Sequence, residues 1–145
     1  MTPALPASFG IRMAVLSNSM CRWPIRQWRV VVGYFGKRKV TGAFGREPDG
    51  QIVKFKISGA KATLALDLTA QENGTSTVVG SAYDLNYHST GFLRSGQGKI
   101  KTFEVPGSGT GTNQGTFANA INGDKWVTGS YVDSSGLTHG FICQP

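Results

Sequence analysis

Apolar positions along this chain fall in short runs of alternating apolar and polar residues, and no stretch sustains the three-to-four-residue spacing of an amphipathic helix. Strands are predicted near residues 28 to 36, 40 to 46, 50 to 57, 62 to 68, 76 to 83, 88 to 94, 98 to 104, 115 to 121, 125 to 132 and 137 to 142. Between them stand PDG (48 to 50), NG (73 to 74), SGQG (95 to 98) and DSSG (133 to 136), which supply the positive φ angles and Asx bonds of tight connections. The expectation is an all-β protein.

The strands recur with a period. IRQWRVVVG (25 to 33) lines up with ENGTSTVVG (72 to 80) and INGDKWVTG (121 to 129), placing Gly33, Gly80 and Gly129 in register. Tyr34, Tyr83 and Tyr131 follow. AFGR, GFLR and GFIC then place Phe44, Phe92 and Phe141 at offsets of 48 and 49, and KFKISGA (54 to 60) matches TFEVPGS (102 to 108). Four short antiparallel strands in a repeated unit of about 48 residues is the pattern of a β-propeller blade. Read so, residues 25 to 71 and 72 to 120 are blades and 121 to 145 is a half blade. Residues 1 to 24 stay unassigned, either a disordered segment or the product of a mis-assigned start codon. Two and a half blades fall short of the roughly four a closed ring takes. Self-association is therefore expected, with the half blade pairing with strand 28 to 36 of another copy.

The segments GSYVDSSGLTHGF (129 to 141) and FLRSGQGKIKTFEVPGSGTGTNQGTFANAINGDKWVTGSY (92 to 131) resemble the HAF-type extracellular repeat of bacterial proteins. That family's pattern runs G-x-Y-x-D-x-x-G-x-x-H-G-F, then F-D-x-P-G-A, then I-N-x-x-G-x-x-V-G. The resemblance covers about residues 25 to 145. It implies a propeller-type repeat protein of the cell exterior or envelope, and it brings no chemistry with it. The pattern's Asp is Asp84 and Asp133 but Lys37 in the first copy, its Asn is Asn73 and Asn122 but Arg26, and its His is His139 but Thr90 in the second copy. The usual Phe-Asp is Phe103-Glu104.

Composition narrows the class. With 39% hydrophobic and 10% aromatic residues the chain is too apolar for disorder, and its 20 glycines lack a collagen period. No apolar run is long enough for a membrane helix. Arg12 interrupts the only early apolar stretch, so no secretory signal is recognised. The net charge of +7 is concentrated at one end: residues 1 to 61 carry 11 Lys/Arg against Glu47 and Asp49. Lys37, Arg38, Lys39, Lys54 and Lys56 are the candidate anion-binding residues. Their ordinary role, keeping strand faces and edges soluble, ranks above nucleic-acid binding. Cys21 and Cys143 show no metal or redox spacing, and a disulfide between them is an open alternative.

No arrangement for catalysis stands out. The glycine-rich 106 to 116 fails both the dinucleotide and the P-loop patterns and reads as a connection. His139 is expected to make a structural hydrogen bond, and His88, out of register, to lie at the surface. Asp84 and Asp133 recur and read as structural, Asp133-Ser-Ser-Gly136 having the form of a turn without the D-x-D-x-D of a calcium loop. Trp28, Trp126 and the recurring tyrosines read as packing residues that would stack on sugars if exposed. The favoured reading is a non-enzymatic binding module, without cofactor or metal, for a glycan or a surface protein. The rivals are a propeller-type glycan hydrolase or lyase, and a gene fragment without a function of its own.

Overall fold

The computed structural model describes residues 32–37, 40–46, 51–70 and 76–145. They form ten strands and, among the described residues, no helix: β1 (Val32–Lys37), β2 (Val40–Arg46), β3 (Ile52–Phe55), β4 (Ala62–Ala70), β5 (Ser76–Tyr83), β6 (Ser89–Ser95), β7 (Ile100–Phe103), β8 (Gly115–Ile121), β9 (Val127–Val132) and β10 (Thr138–Cys143). The all-β expectation holds, and each strand overlaps a predicted one. Residues 25 to 31, with Trp28, and the PDG and NG turns lie outside the described residues.

The ladders form three antiparallel meanders, β1-β2-β3, β4-β5-β6-β7 and β8-β9-β10. The ladders of neighbouring meanders are joined by a single parallel bridge each, Thr41↔Ala62 and Ser89↔Gly115. The hydrogen bonds thus divide the chain before β4 and before β8, one strand earlier than the units read from the sequence. β4 belongs with β5, which it pairs along its whole length.

The two joints share one bond. The N–H of Ile57 donates to Thr63 Oγ1 at 3.0 Å, and that of Val105 to Thr116 Oγ1 at 2.9 Å. The second joint adds Ser89 Oγ to the Thr116 carbonyl (2.8 Å), Ala118 N–H to Ser81 Oγ (3.1 Å) and Ile121 N–H to Asp67 Oδ2 (2.9 Å). Thr63, Ser81, Ser89 and Thr116 are buried, so these bonds satisfy groups that would otherwise cost stability.

Apolar packing fills the same two joints. Ala43, Ile57, Ala60, Ala65, Val78, Ala82 and Phe92 form one core, with Phe55 and Leu68 against it. Val79, Ala118, Ile121 and Val127 form the other, flanked by Leu93, Phe103 and Phe141. An edge-on aromatic pair sits in each: Phe55 on Phe92 (5.9 Å, 79°) and Phe103 on Phe141 (6.4 Å, 79°). β5 sends Val78 to one core and Val79 to the other, so the middle meander is covered on both faces.

Glycine and phenylalanine recur together for a steric reason. The cross-strand pairs are Gly33↔Phe44, Gly80↔Phe92 and Gly129↔Phe141. β4 and β8 bulge after Ala65 and Ala118, the residues opposite Gly80 and Gly129. A Cβ at Gly80 would collide with the Leu64 carbonyl oxygen and stand 3.0 Å from the Phe92 ring; at Gly129 it would meet the Phe117 carbonyl and the Phe141 ring in the same way. Only glycine lets backbone and ring close in together.

Four hairpins share one turn, spanning residues 84–88, 95–99, 122–126 and 133–137. In each, the first residue's N–H donates to the fifth carbonyl and the fourth N–H to the first carbonyl. Asp84, Ser95, Asn122 and Asp133 accept the fifth residue's N–H through a side-chain oxygen. The fourth residue has positive φ: Tyr87 (63°), Gly98 (86°), Lys125 (63°) and Gly136 (82°). This is a type I turn closed by a G1 bulge.

Candidate functional site

Turns 84–88 and 133–137 lie at one end of the middle and last meanders, and the glycine-rich connection 106–114 runs between them. Asn113 N–H donates to the Tyr87 carbonyl, Gly109 N–H to that of Val132, and Gln114 Nε2 to that of Ser134 (3.2 Å). Gln114 Oε1 in turn accepts Gly111 N–H at 2.8 Å. A Cβ at Gly109 would stand 2.8 Å from the Asp133 backbone carbonyl, so glycine here permits the loop to lie flat on the turn.

Tyr131 and His139 are cross-strand partners on β9 and β10, and their rings stack with centroids 4.8 Å apart and 18° between planes. His139 Nε2 is 2.8 Å from Asp133 Oδ2, while Asp133 Oδ1 accepts the N–H groups of Ser135 and Leu137. The bond to His139, then that from Leu137, holds the Asp133 carboxyl below the usual carboxylate range. The His139 side chain is 41% exposed. The cluster is therefore a pinned pair of half-exposed rings beside a polar loop, with Gly107 lying against the Tyr131 ring.

The equivalent turn in the middle meander is built differently. Asp84 Oδ1 accepts Asn86 and His88 N–H groups, and Thr90 stands at the position of His139 and donates to Glu104 Oε1 at 3.2 Å. His88 is not at the surface as expected: its side chain is 13% exposed, with Nε2 buried against Gly115 and 3.6 Å from Glu104 Oε1. It closes the turn and is covered by the incoming β8. Leu85 and Tyr87 project at the tip, 78% and 51% exposed, and Lys61 Nζ lies 3.7 Å from the Tyr87 ring centre. Sequence reasoning missed this cation–π pair; an aromatic residue at the left-handed turn position was its one signal.

Of the candidate anion-binding residues, Lys54 and Lys56 are exposed on and just after β3. Lys37 ends β1 with its side chain outside the described residues, where Arg38 and Lys39 also lie. Tyr83 is half-buried against Phe117, which raises its hydroxyl pKa, and a bond with Ser89 works against that rise. Trp126 is exposed at the opposite end, and Tyr34 lies on β1. Cys143 is a free thiol on β10 whose pKa burial raises, and Cys21 lies outside the described residues.

Among the described residues, no hydroxyl or thiol bonds to an imidazole nitrogen of His88 or His139, and no three His, Cys, Asp or Glu side chains are grouped to hold a metal ion. No helix is long and apolar enough to cross a membrane. Comparison with family models, curated proteins and solved structures yields no match.

Proposed function

We propose that this chain is a non-enzymatic β-repeat interaction module, HAF-like in sequence and propeller-like in the stacking of its meanders, that binds a glycan or surface protein outside the cell or at its envelope. The recurrence of Gly–Phe pairs, shared joints and one turn type supports the repeat reading. The binding end is the one formed by turns 84–88 and 133–137 and the loop between them.

The observation that carries the reading is the Tyr131–His139 stack pinned by Asp133. A rigid aromatic face loses little conformational freedom on binding and offers an apolar surface to the C–H face of a sugar ring. Exposed Thr110, Thr112 and Asn113 on the adjoining loop add hydrogen-bonding groups at its edge. Acid–base work is served less well, because one imidazole nitrogen of His139 and both oxygens of Asp133 are already engaged in the turn.

A glycan array probed with the wild-type chain, Tyr131→Ala and His139→Ala tests this. Binding by the wild type that falls about tenfold or more in both variants is expected, an order set by the loss of an aromatic contact. The bound glycans should be recovered uncleaved. Cleavage abolished by His139→Ala would establish the hydrolase or lyase reading instead. Any binding to anionic polymers should track Lys54 and Lys56 and weaken as salt rises.

A further inference from the structure

The last meander ends in an edge that the middle meander shows how to fill. β6 and β10 are equivalent strands, each paired on one side with the strand before it. On its other side β6 takes β7, with Phe103 opposite Gly91 and Lys101 opposite Leu93. Gly140 and Ile142 occupy the equivalent positions on β10. Among the described residues no strand lies beside them.

Hairpin geometry fixes which backbone groups are left over. The bond from Asp133 N–H to the Leu137 carbonyl sets the phase, so Tyr131–His139 and Gly129–Phe141 are the pairs that exchange bonds across the hairpin. The N–H and C=O of Gly140 and Ile142 therefore point away from β9. Both residues also share one face of the strand. Ile142 is 69% exposed, and a Cβ added at Gly140 would find its nearest neighbour 4.0 Å away, whereas one at Gly91 would strike the Phe103 ring at 2.7 Å. Among the described residues, nothing fills in the last meander the seat that Phe103 takes in the middle one.

The geometry points to a symmetric dimer formed by antiparallel pairing of β10 with β10 of a second copy, with Ile142 of each chain seated over Gly140 of the other. This register places Phe141 opposite Phe141 and lets Gly140 and Ile142 exchange backbone bonds reciprocally across the two-fold axis. The partner is a second copy because the edge is self-complementary: an empty position and an exposed branched side chain stand two residues apart on the same face. No charged residue lies between Thr138 and Cys143, apart from a histidine, to oppose its own image. The pairing continues the sheet past its present last strand.

Sedimentation equilibrium on the full chain and variants tests the proposal. The wild type should form a dimer and no larger species. Gly140→Val leaves the isolated chain room for its side chain but drives it into the facing Ile142, so the dissociation constant should rise at least about tenfold. Ile142→Gly should weaken the dimer likewise. Combining Gly140→Ile with Ile142→Gly should restore it, since the swap recreates the same complementarity in reverse. Amide exchange gives an independent reading without substitution: the Gly140 and Ile142 N–H groups should become protected as concentration rises, while those of His139 and Phe141 should not change. A monomer at several hundred micromolar, a dimer indifferent to Gly140→Val, an open-ended series of oligomers, or a double variant no better than Gly140→Val would each overturn it.

Discussion

Replacing Gly80 by alanine adds one methyl group at the most crowded point of the sheet. That methyl would stand 2.9 Å from the Leu64 carbonyl carbon, closer still to its oxygen, and 3.0 Å from the Phe92 ring. Non-bonded carbons rest at about 3.5–4.0 Å, so β4 and β5 must part by roughly 1 Å. Phe92 is fully buried and braced by Phe55, so the ring cannot move aside, and the strain falls on a ladder that the bulge after Ala65 has already loosened. Leaving one or two buried backbone groups without partners at about 1–3 kcal/mol each gives a loss of roughly 1–6 kcal/mol. For a chain of this size that is a drop in Tm on the order of 10 °C. Gly140→Ala is the control, because its methyl meets only one atom, at 4.0 Å; its effect should stay within about 0.5 kcal/mol. Urea melts of dilute samples would measure both. Equal stability of the two variants would refute the close-approach account, as would a Gly129→Ala variant as stable as wild type.

Phe92→Ala should cost about 3–5 kcal/mol in the same melts, since it empties a fully buried site that touches the preceding meander. Lys125→Gly should stabilise by about 0.5–1 kcal/mol, because Lys125 is exposed and holds a left-handed conformation that costs a side chain and not a glycine. Asp133 has a lower pKa folded than unfolded, so its contribution is complete above the ordinary carboxylate range and is lost as pH falls through the depressed folded value. The Tm of wild type should accordingly exceed that of Asp133→Asn by its full margin above the ordinary carboxylate range, the gap closing as pH falls below that range.

Much of the fold was legible because strand alternation and turn chemistry are local. Asp84, Ser95, Asn122 and Asp133 announce their turns by accepting backbone N–H bonds, and Gly98 and Gly136 mark the left-handed position. Tyr87 and Lys125 hold that position without announcing it. The recurrence of Gly80 and Gly129 was visible, whereas its cause was not: the clash depends on bulges in β4 and β8 that no residue type signals. The grouping of β4 with β5 was hidden for a related reason, since a period shows spacing and leaves the starting strand of each unit undetermined. In the site, Asp133 and His139 were readable as hydrogen-bonding residues, but the stack on Tyr131 follows from the β9–β10 register. The burial of His88 follows from β8 arriving 27 residues later in sequence, beside Ser89 and Gly115.

The meanders bury their faces on one another, so the middle one should be the most stable part of the chain. Native-state amide exchange on a dilute sample measures this residue by residue. Amides of Val78, Val79 and Phe92 on β5 and β6 should exchange only through global unfolding, with β10 opening at a lower free energy than either. Protection spread evenly over all the strands, or β10 as slow as β5, would contradict the stacked arrangement.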